Sequence, residues 1–257
     1  MRLVVIAAAL WLAAAGAQAQ TSAPAAPAPP EATSACRDAG PDGAQPVLKN
    51  FAAALRDNRA VILAVGGSGV AKRGRVGSDG YYALVRRYLE RSFKGLDLKI
   101  EHRGAGGEVA RDAFERIKVE AALTGARLVL WQVGAADALA RIPPQEFRAT
   151  LTEAVAWLRA HDIDLVLIGM RYAPEAAKDE QYQAIRQAVR EVAIAESVPR
   201  VRRYEASEAV ARMRAGAHAD PAVAADAAQD CMADWLAQAV AVGLFGRRGG
   251  GEARPAP

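Results

Sequence analysis

Residues 61–68 read Val-Ile-Leu-Ala-Val-Gly-Gly-Ser, and this stretch decides the fold. Five apolar residues run without polar interruption into two glycines and a serine. So short a run, rich in β-branched and aliphatic side chains, suits a strand covered on both faces, as in a parallel sheet. The glycines allow a tight exit with unusual backbone angles. Ser68 then stands at the carboxyl end of a central strand, where open α/β sheets take their ligands. The alternative is a strand-to-helix turn with an incidental serine, and the neighbouring segments decide between the two.

Working outward, strand-like runs recur at 96–101, 127–133, 163–168 and, more weakly, 198–203. Between them lie segments with helical spacing: 46–58, 81–93, 108–123, 144–161, 181–196, 204–214 and 225–245. In 81–93 the apolar side carries Leu84, Tyr88 and Leu89; in 144–161 it carries Phe147, Leu151, Val155 and Leu158. Strand and helix thus alternate five times. The expected fold is one three-layer α/β domain over residues 46–245, with a five-stranded parallel sheet, helices on both faces and right-handed crossovers. There is no internal repeat and no second domain.

The flanks differ in kind. Met1-Arg2, the apolar run 3–15 and Ala17-Gln18-Ala19 form the n-region, h-region and small-x-small site of a signal peptide. Residues 1–19 are therefore expected to be removed after Ala19, which places the protein in the periplasm or outside the cell. The run is too short and alanine-rich for a membrane span, so no stable membrane insertion is expected after cleavage. No cysteine follows Ala19, which argues against a lipoprotein. Residues 20–45 are rich in Ala and Pro and read as a disordered linker; the Gly-, Arg- and Pro-rich 246–257 reads as a disordered tail. The 257 residues carry a net charge of +4, with acids and bases mixed along the helices. That is a solvated surface rather than a nucleic-acid stripe.

Cys36 and Cys231 are the only two cysteines. In an exported chain they are expected to pair, the alternative being two buried free thiols. Titration of the unfolded, unreduced mature protein is expected to find no reactive thiol. Two per chain would overturn the pairing.

In such a sheet the loops after the strands converge on one edge. Here they present Ser68, residues 104–107, residues 134–137, Arg171 with Tyr172, and residues 218–220. Glycines and one serine at a common edge suit acyl transfer, with Ser68 as nucleophile and backbone N–H groups facing a developing oxyanion. Other glycine chemistries fit poorly. Lys72 stands where a dinucleotide fingerprint needs its third glycine, and no Gly-Lys-Ser/Thr occurs. Gly66-x-Ser68-x-Val70 lacks the last glycine of an α/β-hydrolase elbow. Lys72, Arg73 and Arg75 lie in the loop 70–80 and read as solvated cations, with an anion-greeting role as the alternative. No His, Cys, Asp or Glu set has zinc spacing, so neither a metal nor a cofactor is expected.

The order of segments resembles the SGNH (GDSL-type) hydrolases over residues 60–241. Gly66-Gly67-Ser68 resembles their first block, with Gly67 where Asp or Ser is usual. His102-Arg103-Gly104-Ala105-Gly106-Gly107 resembles the second, in which Gly107 takes the place of the oxyanion glycine. Residues 130–137, Leu-Trp-Gln-Val-Gly-Ala-Ala-Asp, resemble the third, with Ala136 in place of the oxyanion asparagine. The family's last block is Asp-x-x-His, often followed by a cysteine about eight residues on. Anchored on Cys231, it puts the acid at Asp220 and Val223 where the histidine belongs. The resemblance implies a flavodoxin-like fold and ester hydrolysis, while these substitutions imply a degenerate site.

The remaining histidines offer one alternative. His218 precedes Asp220 in reversed order, and Ala215 sits where its own acid would be; a loop could still bring it in as a displaced base. His102 reads as solvent-facing or structural, His161 as a surface residue, and Asp137 as a helix N-terminal cap. Two functional readings follow. One is an exported SGNH-like protein with little or no esterase activity that binds an acylated or carbohydrate ligand. The other is a working esterase or acyl-transfer enzyme using Ser68 with a base such as His218.

Overall fold

The structure, a computed structural model, describes residues 48–67, 82–216, 232–233, 235–241 and 243–244. Among the described residues, five strands form one sheet: β1 (Arg59–Gly66), β2 (Asp97–Gly104), β3 (Leu128–Gln132), β4 (Asp164–Ile168) and β5 (Arg200–Val201). The order is β2-β1-β3-β4-β5, and every neighbouring pair is parallel. This is the flavodoxin-like order. The helices are α1 (Lys49–Arg56), α2 (Tyr82–Ser92), α3 (Ala110–Thr124), α4 (Ala135–Leu139), α5 (Pro144–Ala160), α6 (Glu180–Ala195) and α7 (Arg203–Gly216). Residues 232–233, 235–241 and 243–244 are helical as well.

Side chains alternate across a strand, so a sheet covered on both sides needs apolar residues at every position. The central strands meet that demand. Leu63 and Val65 of β1, Val129 and Trp131 of β3, and Leu165 and Leu167 of β4 pack into one core with α3, α5 and α6. Ile62 and Ala64, Leu128 and Leu130, and Val166 and Ile168 pack into the other with α1, α2 and the 235–240 stretch. The stripe Phe147, Leu151, Val155 and Leu158 of α5 is buried as its spacing predicts. In α2 the fully buried residues are Tyr82, Val85 and Leu89, while Leu84 and Tyr88 are packed only in part.

Three boundaries differ from the sequence reading. β2 runs through His102, Arg103 and Gly104, which pair in register with Ala64, Val65 and Gly66. Charged residues are tolerated there because β2 is an edge strand. Lys99, Glu101 and Arg103 form a ladder of ion pairs, Lys99–Glu101 at 2.5 Å and Arg103–Glu101 at 3.0 Å, that also discourages edge-to-edge association. The Lys99 hydrogen bond, with Arg103 adding to it, lowers the Glu101 pKa. The second difference is α4, which fills a stretch read as loop. The third is β5, only two residues long because just Arg200 and Val201 find partners on β4.

Asp164, at the start of β4, caps α1 from a distance. Its carboxylate accepts from the Phe51 amide at 2.9 Å and from Asn50 Nδ2 at 3.1 Å. Leu48 N donates to the Gly243 carbonyl at 2.7 Å and ties the start of the described domain to its last helical stretch.

Candidate active site

β1 has β2 on one side and β3 on the other, so the chain leaves it in opposite directions. At such a switch point the carboxyl ends open a crevice. A cleft of about 190 Å³ lies there. Every strand contributes to its wall: Gly66 and Gly67 from β1, Ala105, Gly106 and Gly107 after β2, Gly134, Ala135 and Ala136 after β3, Met170 after β4, and Arg203 after β5.

The turn after β2 is fastened to β1 by the Ala105 amide, which donates to the Gly66 carbonyl at 2.8 Å. Gly107 sits at φ +76°, a left-handed angle that a side chain would strain. The turn hands the chain to α3. Glu108, in its wall, is clasped by Arg116, with Nε to Oε1 at 2.7 Å and Nη2 to Oε2.

Asp137 is 2% exposed and lies within α4, immediately after Ala136. Its Oδ1 accepts the amide of Ala110, the first residue of α3, at 2.8 Å. It is thus a helix cap, as its sequence position suggests, and the helix whose first amide it holds is α3. Val109, at the N-cap of α3, offers no side-chain acceptor. One carboxylate therefore fixes the Gly107 turn relative to the Ala136 turn. Burial raises its pKa, opposed by hydrogen bonds from the backbone of Ala110, Asp137 and Gly134.

A variant pair checks this strut. Asp137→Ala strands a buried N–H and is expected to cost about 1–3 kcal/mol in denaturant unfolding. Asp137→Asn keeps an acceptor and is expected to lose less. An acid with a raised folded-state pKa binds its proton more tightly when folded. Its contribution to stability therefore falls as pH rises from its unfolded value, about 3.9, through the higher folded one. That slope is expected to be absent in Asp137→Asn.

The cleft brings Gly107 and Ala136 together beside Gly67, the residue preceding Ser68. Ser68, His218, Asp220, Val223, Cys36 and Cys231 lie outside the described residues, as do residues 1–19, the linker 20–45, the loop 70–80 and the tail 246–257. His102 is half-buried in β2 and packs at a tilt against the Tyr82 ring, with ring centroids 5.2 Å apart and planes at 57°, which fits the structural reading. His161 is exposed, stacks on Trp157 at 3.8 Å, and its Nδ1 lies 2.7 Å from the Trp157 carbonyl. Sequence reasoning missed Met170 and Arg203. The signal for both was their position just after a strand, at the edge where ligands bind.

The parallel 2-1-3-4-5 sheet with a glycine-walled cleft at its switch point is the flavodoxin-like arrangement that SGNH-type hydrolases share. The sequence signature described as the Non-GDSL lipase-like family matches residues 36–244, and the chain belongs to that family. The family's name suits a first block in which Gly67 replaces the usual Asp or Ser. No curated protein matches the chain. Among solved structures, the chain resembles LAE5, an alpha/beta hydrolase from the metagenome of Lake Arreo, Spain. Identity is 18% and the TM-score 0.54, over 72% of this chain and 96% of the other. It also resembles a catalytic variant of Axe2, an acetylxylan esterase from Geobacillus stearothermophilus. There identity is 20% and the TM-score 0.56, over 70% and 94% of the two chains. A third is a protein described as a GDSL-like lipase from Parabacteroides merdae, at 16% identity and TM-score 0.55, over 71% and 96%.

Proposed function

We propose that this protein is an exported SGNH-hydrolase-like protein with a degenerate active site, which binds a short acylated or sugar ligand and hydrolyses esters little or not at all. The observation that carries the reading is Ala136 in the cleft beside Gly107. The methyl group of an alanine cannot donate to an oxyanion, so one side-chain donor of the family's hole is missing. Val223 at the position of the family's histidine adds the loss of the general base. Export is supported by the apolar run 3–15 and the site at Ala17-Gln18-Ala19. The ligand class draws on the cleft's small size and on Axe2, a fold relative whose name describes an esterase of acetylated sugars.

Membership of a lipase-like family favours the second reading, an active esterase in which Ser68 is served by His218. Hydrolysis of a short-chain aryl ester by wild type, Ser68→Ala and His218→Ala separates the two. A background rate in all three supports the degenerate site.

A further inference from the structure

β3 breaks its own pattern at its last residue. A strand covered on both faces calls for an apolar side chain at every position, and Leu128, Val129, Leu130 and Trp131 comply. Gln132 does not, and it borders the cleft. Residues that break such a local rule gather at functional sites. The strand neighbours of Gln132 offer its carboxamide nothing. Val65 of β1 pairs with Trp131, so the next residue along β1 is Gly66, which has no side chain. On β4 the partner is Ile168, which is apolar. Elsewhere, Gln183 donates to the Ala177 carbonyl at 3.2 Å and Gln187 to Glu191 Oε1 at 3.1 Å. Among the described residues the half-buried Gln132 has no such partner for its carboxamide.

A carboxamide has one acceptor oxygen and two N–H donors, so it asks a ligand for a donor and an acceptor together. Neighbouring hydroxyl groups supply both, since each donates one hydrogen and accepts others. A carboxylate only accepts, and it would also meet the charge of Glu108 in the same wall. Arg116 donates to both Glu108 oxygens, Nε to Oε1 at 2.7 Å and Nη2 to Oε2. Arg203, the other charged side chain of the wall, has an interaction of its own. Resting on the binding reading above and narrowing it, we propose that the cleft's ligand is a neutral sugar ring whose neighbouring hydroxyls are read by Gln132, one donating to Oε1 and the next accepting from Nε2. The cavity of about 190 Å³ is smaller than the roughly 300–1,000 Å³ that holds drug-sized ligands, which limits the ligand to a single ring.

Calorimetry on the mature protein with the methyl glycosides of xylose, glucose, galactose and mannose tests this, beside cyclohexanol, a ring of similar size with one hydroxyl. At least one glycoside is expected to bind about tenfold or more tighter than cyclohexanol, since each hydrogen bond made in the cleft adds to affinity. The sugar that binds best names the hydroxyl pair. Gln132→Leu, close in volume and unable to hydrogen-bond, is expected to weaken that glycoside about tenfold and to leave cyclohexanol unchanged. Gln132→Glu is expected to keep part of the preference, because it retains acceptor oxygens while losing the N–H donors. If Gln132→Leu does not fold, Gln132→Glu carries the test, and an undiminished preference in it overturns the inference. Equal binding of glycosides and cyclohexanol, or a preference that survives Gln132→Leu, overturns the inference and leaves the binding reading standing. Silence from every glycoside also overturns it. The binding reading is then judged on its own, by whether triacetin, a short acyl ester without free hydroxyls, protects the protein against unfolding.

Discussion

The mature protein is expected to hydrolyse a short-chain aryl ester at the background rate, and Ser68→Ala to change nothing. A serine hydroxyl is a weak nucleophile unless a base takes its proton as it attacks. In the family that base is the histidine of the last block, and the proposed alignment anchored on Cys231 puts Val223 there. Losing the base of a serine protease costs on the order of 10⁶ in rate. Losing one oxyanion donor, as the proposed reading of Ala136 requires, costs about 10²–10³. The two losses need not multiply, but the loss of the base alone is large enough to remove efficient turnover. The informative experiment is restoration. Ala136→Asn with Val223→His is expected to raise the rate by at least about 10², because the backbone around Gly107 and Ala136 is already organised. Gly107 and Ala136 share one cleft, and the Asp137 carboxylate fixes their two turns at 2.8 Å from the Ala110 amide. A rise shows that the scaffold kept its geometry while the chemistry was lost. A wild-type rate well above background, abolished by both Ser68→Ala and His218→Ala, assigns His218 as the base and replaces the degenerate reading with the esterase one.

What the sequence discloses here depends on how local the physics is. The run 61–65 identifies β1 because a strand buried on both faces has no polar position, a property visible in five residues. The same holds for residues 128–131 of β3 and 165–168 of β4, whose side chains divide between two cores. The end of β2 was hidden because nothing local marks His102 and Arg103 as strand; their conformation follows from pairing with Ala64 and Val65. Asp137 was legible as a cap but not as a cap for α3, since the amide it accepts lies 27 residues away. Asp164 and α1, 113 residues apart, repeat the pattern. Gly107 and Ala136 were found through their order after successive strands. Arg203 was passed over because it sits in a weak strand-to-helix junction outside the family's blocks.

Gly134→Ala is expected to be the most destabilising single-methyl change in the cleft, by about 2–5 kcal/mol, from two sources that add. The first is backbone strain. Gly134 stands at φ +102°, where a side chain costs roughly 1–2 kcal/mol. The second is space. A Cβ there would lie 3.0 Å from Met170 Sδ, 3.1 Å from Met170 Cγ and 3.2 Å from Ile185 Cγ2. Overpacking of this kind costs about 1–3 kcal/mol. Met170 is 2% exposed and Ile185 fully buried, so neither can swing into solvent. Gly125, at φ +67° with nothing within 4 Å of its virtual Cβ, isolates the first source; Gly125→Ala is expected to cost only the strain. Denaturant unfolding of both variants separates the terms. Gly134→Ala combined with Met170→Ala is then expected to cost less than the sum of the two singles, because removing the thioether makes room for the methyl. Strict additivity would locate the whole cost in the backbone. The change also bears on the site. Gly134 starts the turn that carries Ala136 and Asp137, so a shifted turn is expected to loosen the Asp137–Ala110 link along with the packing. Faster hydrogen exchange at the Ala110 amide in Gly134→Ala than in Gly125→Ala is the corresponding expected result.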